Sequence, residues 1–293
     1  MTPTDRQLRT VRSRILAWYD QEKRDFPWRR TTDPWAVLVS EVMLQQTQAA
    51  RIVERFPPFL ARFPTPRAMA EATDAQVLAA WSGLGYNRRA IALRRTAQAV
   101  AASGWPDDVA GLQRLPGIGP YTARAVAALA FGRPVGAVDT NVRRWLVRRL
   151  GASAAAPARD LQELADRLGA LATDGAEAAA WMHANMEFGA GVCRARRPAC
   201  DSCPVARGCP SRGRAGVVPV ARQAAFAGSS RQRRGLLLRR LATSPDHRLA
   251  LADLEDLAAV VEGLERDGLA HRSGGHLLLG GRDDAAVVAT IGP

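Results

Sequence analysis

Four cysteines lie within seventeen residues of this 293-residue chain, as Cys193-x6-Cys200-x2-Cys203-x5-Cys209. Four thiolates this close together can satisfy a 4Fe–4S cluster or a tetrahedral zinc ion. Paired disulfides are a third arrangement, one that suits a chain expected in the cytosol poorly. Spacing alone separates iron–sulfur from zinc only weakly. Arg194, Arg196, Arg197 and Arg207 stand between the cysteines.

Two carboxylates are placed for acid–base chemistry. On a helix, Glu41 has Val37, Leu38, Leu44 and Gln45 as neighbours three and four positions away. A carboxyl against apolar groups has a raised pKa and can stay protonated as a general acid. Pattern alone favours the plainer reading, an exposed helix glutamate. Asp139 precedes a helical pattern and reads as an N-cap. Capping N–H groups would hold its carboxylate ionised.

The run Leu115-Pro116-Gly117-Ile118-Gly119 sits between two helical patterns. Its glycines permit backbone geometry and close approach that side chains would block. Gly119 and Pro120 begin a helix whose N–H groups and dipole face an anion. The plainer reading is a simple αα-turn. Lys23 is the only lysine in the chain. Strand cleavage through a Schiff base needs a nucleophilic amine, which only Lys23 or the N-terminus could supply.

Mostly helical elements must position these groups. Asp33-Pro34 reads as an N-cap and first turn, followed by apolar residues at helical spacing from Trp35 to Gln46. Further helices are expected over 51–62, 74–81, 88–102, 107–115, 120–131, 140–150, 159–172 and 177–188. Gly and Pro punctuate them. The fold class is therefore all-α, with a small α+β unit after a linker at 214–234. In that unit, 235–242 and 254–267 are amphipathic, and 269–279 reads as two strands joined at Gly274-Gly275. Helices followed by a hairpin suggest a winged-helix-like module over 235–293.

The net charge is +13, and its placement matters. Phe188 to Arg240 holds twelve arginines and one acid, Asp201. Such clustering points to a polyanion, since each neutralised phosphate releases condensed counterions. No apolar run reaches the ~20 residues a membrane span needs, and residues 1–16 lack a signal-peptide core. A cytoplasmic, nucleoid-associated protein is expected.

The cysteine spacing, the hairpin and Asp139 downstream of it together resemble the helix-hairpin-helix DNA glycosylase superfamily. Ser40-Glu41-Val42-Met43-Leu44-Gln45-Gln46-Thr47 is similar to the hallmark segment of its adenine DNA glycosylases, the MutY type. The likeness covers roughly residues 8 to 212. It implies a two-lobed fold, one lobe from 1–29 and 139–213 with a cluster loop, the other a six-helix barrel over 30–138. It implies one 4Fe–4S cluster on Cys193, Cys200, Cys203 and Cys209, and an alkali cation on the hairpin carbonyls. It reverses the plainer reading of Glu41, which would protonate the departing adenine. Asp139 would stabilise the sugar cation and help activate water, the pairing of neutral acid and anion used in sugar hydrolysis.

Other residues follow from the same resemblance. Tyr121 stands where strand-cleaving members carry lysine, so a monofunctional hydrolase is expected. Asn141 and Glu187 match residues that orient water or bind adenine, and Arg29 would line the adenine pocket. Gln46 and Tyr86 match residues that wedge into the duplex as a base is flipped out. Gly117 and Gly119 would meet the DNA backbone. The implied partner of this monomer is double-stranded DNA with adenine opposite 8-oxoguanine or guanine. The alternatives are a mismatch thymine/uracil glycosylase of the same superfamily and a non-catalytic nucleic-acid-binding protein.

Two departures stand out. Asn87 occupies a position where many relatives have a second tyrosine. The C-terminal region is too short for the Nudix-like domain of many adenine glycosylases and lacks its glutamate box, which weakens the expected preference for 8-oxoguanine.

Overall fold

Thr4 opens the first helix with a capping box: its hydroxyl accepts from the Gln7 N–H, and the Gln7 side chain accepts from the Thr4 N–H. The computed structural model describes residues 3–214 and 226–281. In chain order the helices are α1 (Asp5–Glu22), α2 (Pro34–Leu44), α3 (Ala49–Val53), α4 (Phe56–Arg62), α5 (Pro66–Glu71), α6 (Asp74–Trp81) and α7 (Arg88–Ser103). Then come α8 (Val109–Arg114), α9 (Pro120–Phe131), α10 (Thr140–Leu150), α11 (Ala158–Gly169) and α12 (Gly175–Gly191). The C-terminal part holds α13 (Ser230–Thr243), β1 (Arg248–Ala250), α14 (Ala258–Arg266), β2 (Ala270–Ser273) and β3 (His276–Leu279). No helix among the described residues is long and apolar enough to cross a membrane.

The chain groups into two units, residues 1–41, 106–114 and 118–222, and residues 42–105, 115–117 and 223–293. This division differs from the expected lobes, because 30–41, 106–114 and 118–138 fall with the first and last helices of the main body. The reason is close packing. Gly132 and Gly175 meet so tightly that a Cβ on Gly132 would lie 2.6 Å from the Gly175 Cα. Arg124 also pairs with Asp166 at 2.5 Å.

The first unit's core is built from one apolar face each of α1, α10, α11 and α12. Leu8, Val11, Ile15, Leu146, Leu161 and Leu168 are buried there. Trp145 meets Trp181 and Phe188 edge-on at 6.2 and 5.8 Å, a favoured aromatic geometry. In the second unit, α5 and α6 pack on α7, and Phe59 meets Trp81 edge-on at 5.5 Å. Helix α13 packs on α6 and α14, and the antiparallel sheet runs in the order β1-β3-β2. Leu277 and Leu279 of β3 face the core with Leu237 and Leu241 of α13.

Several local expectations change. Residues 51–62 form two helices, since Pro57 and Pro58 in the first turn of α4 lack the N–H that a continuous helix needs. Helices α1 and α5 and strand β1 are additional. Residues 230–234, expected as linker, form the first turns of α13, because the Ser229 hydroxyl accepts from the Gln232 N–H. The rest of the expected linker up to residue 225 lies outside the described residues, as does the module's end beyond residue 281. The expected hairpin is present, with Gly274 and Gly275 at φ 53° and 75°, the positive values a tight two-residue turn requires.

Candidate active site

Helix α2 places Glu41 on a buried face. Asp33 caps it by accepting the Ala36 N–H at 2.8 Å, and Glu41 is only 5% exposed. Burial pushes its carboxyl up to about 7, against a hydrogen bond to Tyr121 that lowers it; Asp139 adds a raising charge and Arg29 a lowering one. The acid is therefore half protonated near neutrality. Tyr121, on the first turn of α9, places its hydroxyl 2.8 Å from Met186 Sδ and within hydrogen-bonding reach of Glu41. Burial and these carboxylates push the phenol well above its ordinary value.

Asp139 caps α10 as expected. Its Oδ1 accepts the Val142 N–H at 2.6 Å and its Oδ2 accepts from Asn141 Nδ2 at 2.7 Å. Burial and the cap act in opposite directions on its charge. Burial raises the Asp139 carboxyl, and the hydrogen bonds from Val142 and Asn141, with the Arg144 charge, offset only part of that. Burial thus raises both carboxyls, while the donors from Asn141 and Val142 favour the ionised form of Asp139.

The third buried carboxylate behaves oppositely. Glu187 on α12 is 4% exposed. Burial would raise it, but hydrogen bonds from Arg24 and Arg29 bring it below its ordinary value. Arg29 Nη2 reaches Glu187 Oε2 at 2.6 Å and lies over the Tyr19 and Phe26 rings at 5.5 and 4.9 Å. His183, one helical turn before Glu187, is pushed down to about 3 by burial and by the Arg29 charge, so its ring is neutral. One unit of the chain thus gathers Arg29, Glu41, Tyr121, Asp139, Asn141 and Glu187.

The remaining sequence-predicted residues sit elsewhere. Gln46 and Tyr86 lie in the second unit and hold left-handed backbone at φ 54° and 49°, a conformation costly for non-glycine residues. Arg89 pins both segments. Its Nη1 donates to the Val42 and Gln45 carbonyls at 2.7 and 2.5 Å, and its Nη2 to the Gly85 carbonyl at 3.2 Å. In the hairpin, Gly117 has φ 76°, and a Cβ there would meet the Ala92 Cβ at 2.6 Å. Gly119 has ordinary backbone and open space around it, which leaves the start of α9 approachable.

Cys193, Cys200, Cys203 and Cys209 line one small cavity of about 30 Å³ together with Phe188, Val192 and Val205. Among the described residues, no three His, Cys, Asp or Glu side chains gather as a set for a single ion. The buried Arg148 reaches the Arg194 and Ala195 carbonyls at 2.6 and 2.8 Å and lies 3.7 Å from Cys193 Sγ.

Residues 39–170 match the HhH-GPD superfamily of base excision DNA repair proteins. The chain is 45% identical over 236 residues to an adenine DNA glycosylase of Mycobacterium tuberculosis, covering 76% of each protein. The chain belongs to the adenine DNA glycosylase family. The human member is 40% identical over 224 residues, which span 71% of this chain and 40% of that one. A thermostable thymine-DNA glycosylase superposes with a TM-score of 0.65 at 28% identity, over 70% of this chain and 96% of that one. Endonuclease III trapped on DNA shares the fold, with a TM-score of 0.60 at 22% identity over 71% of this chain and 96% of that one. Sequence reasoning missed Arg24, Arg144, His183 and Met186 beside the first unit's residues, and Arg89 beside Gln46 and Tyr86 in the second. Only His183 left a signal, standing four positions before Glu187.

Proposed function

We propose that the protein is a monofunctional DNA glycosylase of base excision repair that hydrolyses the N-glycosidic bond of adenine mispaired with 8-oxoguanine or guanine. One observation carries this reading: a buried glutamate poised near 7 within electrostatic reach of a capped aspartate, with a tyrosine and no lysine beside them. Protonated Glu41 gives its proton to the departing adenine as the bond to the sugar breaks. Asp139, held by Asn141 and Val142, faces the developing sugar cation. Water adds to the cation, and its spare proton passes to a carboxylate. Arg29 and Glu187 form the wall of the base pocket, and Gln46 and Tyr86 fill the space the flipped base leaves. The protein acts as a monomer in the cytoplasm, at the nucleoid.

The four thiols suit a 4Fe–4S cluster, because all four line one cavity and their spacing resembles the family's cluster loop. Once bound, the cluster supplies a rigid, charged anchor for the arginine-rich loop. An alkali cation on the hairpin carbonyls belongs to the same reading. The likeness to thymine-DNA glycosylases supports a second reading, thymine release from mismatches. A base-release panel decides between them. Free adenine from adenine:8-oxoguanine or adenine:guanine duplexes is expected, and release of thymine alone would overturn the assignment.

A further inference from the structure

The second unit holds a groove of about 870 Å³ whose walls come from distant parts of the chain. One wall is formed by the turn at Gln46 and the loop at Tyr86. The other is α13 of the C-terminal module with Phe226 just before it. Among the described residues, the exposed large hydrophobic side chains are Tyr86, Phe226 and Leu236, and all three line this groove. Arg51 and Arg88 stand on the first wall, and Arg231 and Arg239 on the second. The lining contains a single carboxylate, Asp267, which is paired with Arg234 and, at 3.7 Å, with Arg88. The groove is therefore strongly positive and bears apolar surfaces between its charges.

We propose that this groove is a second DNA-contacting surface, in which α13 takes backbone phosphates on Arg231 and Arg239 while Phe226 and Leu236 pack against an unstacked base. The pattern is that of surfaces that grip unpaired nucleic acid: arginines track the phosphates, and apolar or aromatic faces receive bases without reading them. Shared walls with Gln46 and Tyr86 make the groove continuous with the wedge, so the strand it holds is the one distorted when a base is flipped. The C-terminal module thereby extends the DNA footprint. The inference rests on the proposed function in taking duplex DNA as the substrate and Gln46 and Tyr86 as the wedge.

The test uses the full-length protein and a labelled adenine:8-oxoguanine duplex, with affinity measured across a salt series. The Arg231→Ala/Arg239→Ala pair is expected to weaken binding at least ~10-fold and to reduce the slope of log K against log salt by about 2, since each phosphate contact contributes about 0.9. The control pair Arg233→Ala/Arg240→Ala removes the same charge from exposed positions of α13 outside the groove and should leave the slope nearly unchanged. Arg51→Ala, on the opposite wall, should reduce it by about 1. Phe226→Ala should weaken binding several-fold with the slope intact. Equal losses from both arginine pairs, or none from either, overturn the proposal. Displacement of the duplex by polyglutamate as readily as by single-stranded DNA would overturn it in favour of an acidic protein partner. Base release by the unsubstituted protein is scored separately. Without release, the function fails while the groove can stand; with release but an unchanged slope in the Arg231/Arg239 variant, the groove alone fails.

Discussion

Asn141 donates from Nδ2 to Asp139 Oδ2 at 2.7 Å, while its own Oδ1 accepts from Arg144 Nη2 at 2.8 Å. The asparagine therefore orients the aspartate and is itself oriented by a buried arginine. Asn141→Leu removes a donor that holds the carboxylate ionised. The Asp139 carboxyl should rise further, so the acid limb of the pH–rate profile moves to higher pH. Loss of a hydrogen bond to a charged group, worth ~1.5–3 kcal/mol, corresponds to a rate lower by roughly 10–100-fold. Single-turnover base release across pH checks both effects; a slower enzyme with an unmoved acid limb would contradict the assigned role.

Glu41 makes an opposite pair of predictions for activity and stability. As general acid it must be protonated, so the rate of base release should fall as pH rises through about 7. Burial raises its folded-state value above the ordinary 4.5. Folding thus favours the protonated form: stability is intact below the unfolded value and is lost as pH rises through the folded one. At full ionisation the loss is about 3 kcal/mol. Glu41→Gln should therefore abolish base release yet melt above the unsubstituted protein at pH 8, with the difference shrinking towards pH 5. Thermal melts at the two pH values, alongside release assays, read this trade.

Arg89 holds two strained segments in place. Left-handed backbone at Gln46 and Tyr86 costs roughly 1–3 kcal/mol at each position, and Arg89 offsets this through the carbonyls of Val42, Gln45 and Gly85. Burial pushes its guanidinium down to about 10, yet it stays charged at neutrality. Arg89→Ala should destabilise the protein by about 2–4 kcal/mol and speed amide exchange over residues 83–87. Arg89→Lys should not restore protection, since one ammonium cannot span the same carbonyls. Urea unfolding with hydrogen exchange tests this.

The legible parts of the site were those set by local rules. Asp33 and Asp139 read as caps because an N-cap needs only its own helix, and the Gly274-Gly275 turn read as a hairpin for the same reason. Glu41 was ambiguous because α2 is apolar almost all round, so periodicity could not say which face is buried; the resemblance decided it. Arg89 was illegible because its Val42 and Gln45 partners lie 47 and 44 positions back in the chain. Arg24 and Arg29 meet Glu187 across more than 150 residues. An arginine reaching that far looks, in sequence, like any other arginine in a basic protein. The linker was misplaced for a related reason: its composition is loop-like, but Ser229 starts a helix inside it.

The cysteine loop depends on an arginine that contributes no ligand. Arg148 is 2% exposed, and its guanidinium ties down the Arg194 and Ala195 carbonyls while its own carbonyl accepts from Cys209 Sγ at 3.4 Å. Burial raises the Cys193 thiol, whereas Arg148 and Arg144 lower it, favouring the thiolate that a metal needs. Arg148→Met keeps much of the volume and removes the donors. Under the proposed cluster assignment, the expected result is a protein with reduced visible absorbance and iron content and greater sensitivity to chelators. Its DNA affinity should fall before its single-turnover rate does, since the cysteines stand apart from Glu41 in chemistry and serve to shape an arginine-bearing loop. Iron analysis with parallel binding and rate measurements decides the order. A rate loss at full iron content and normal affinity would instead place Arg148 in the path to Asp139.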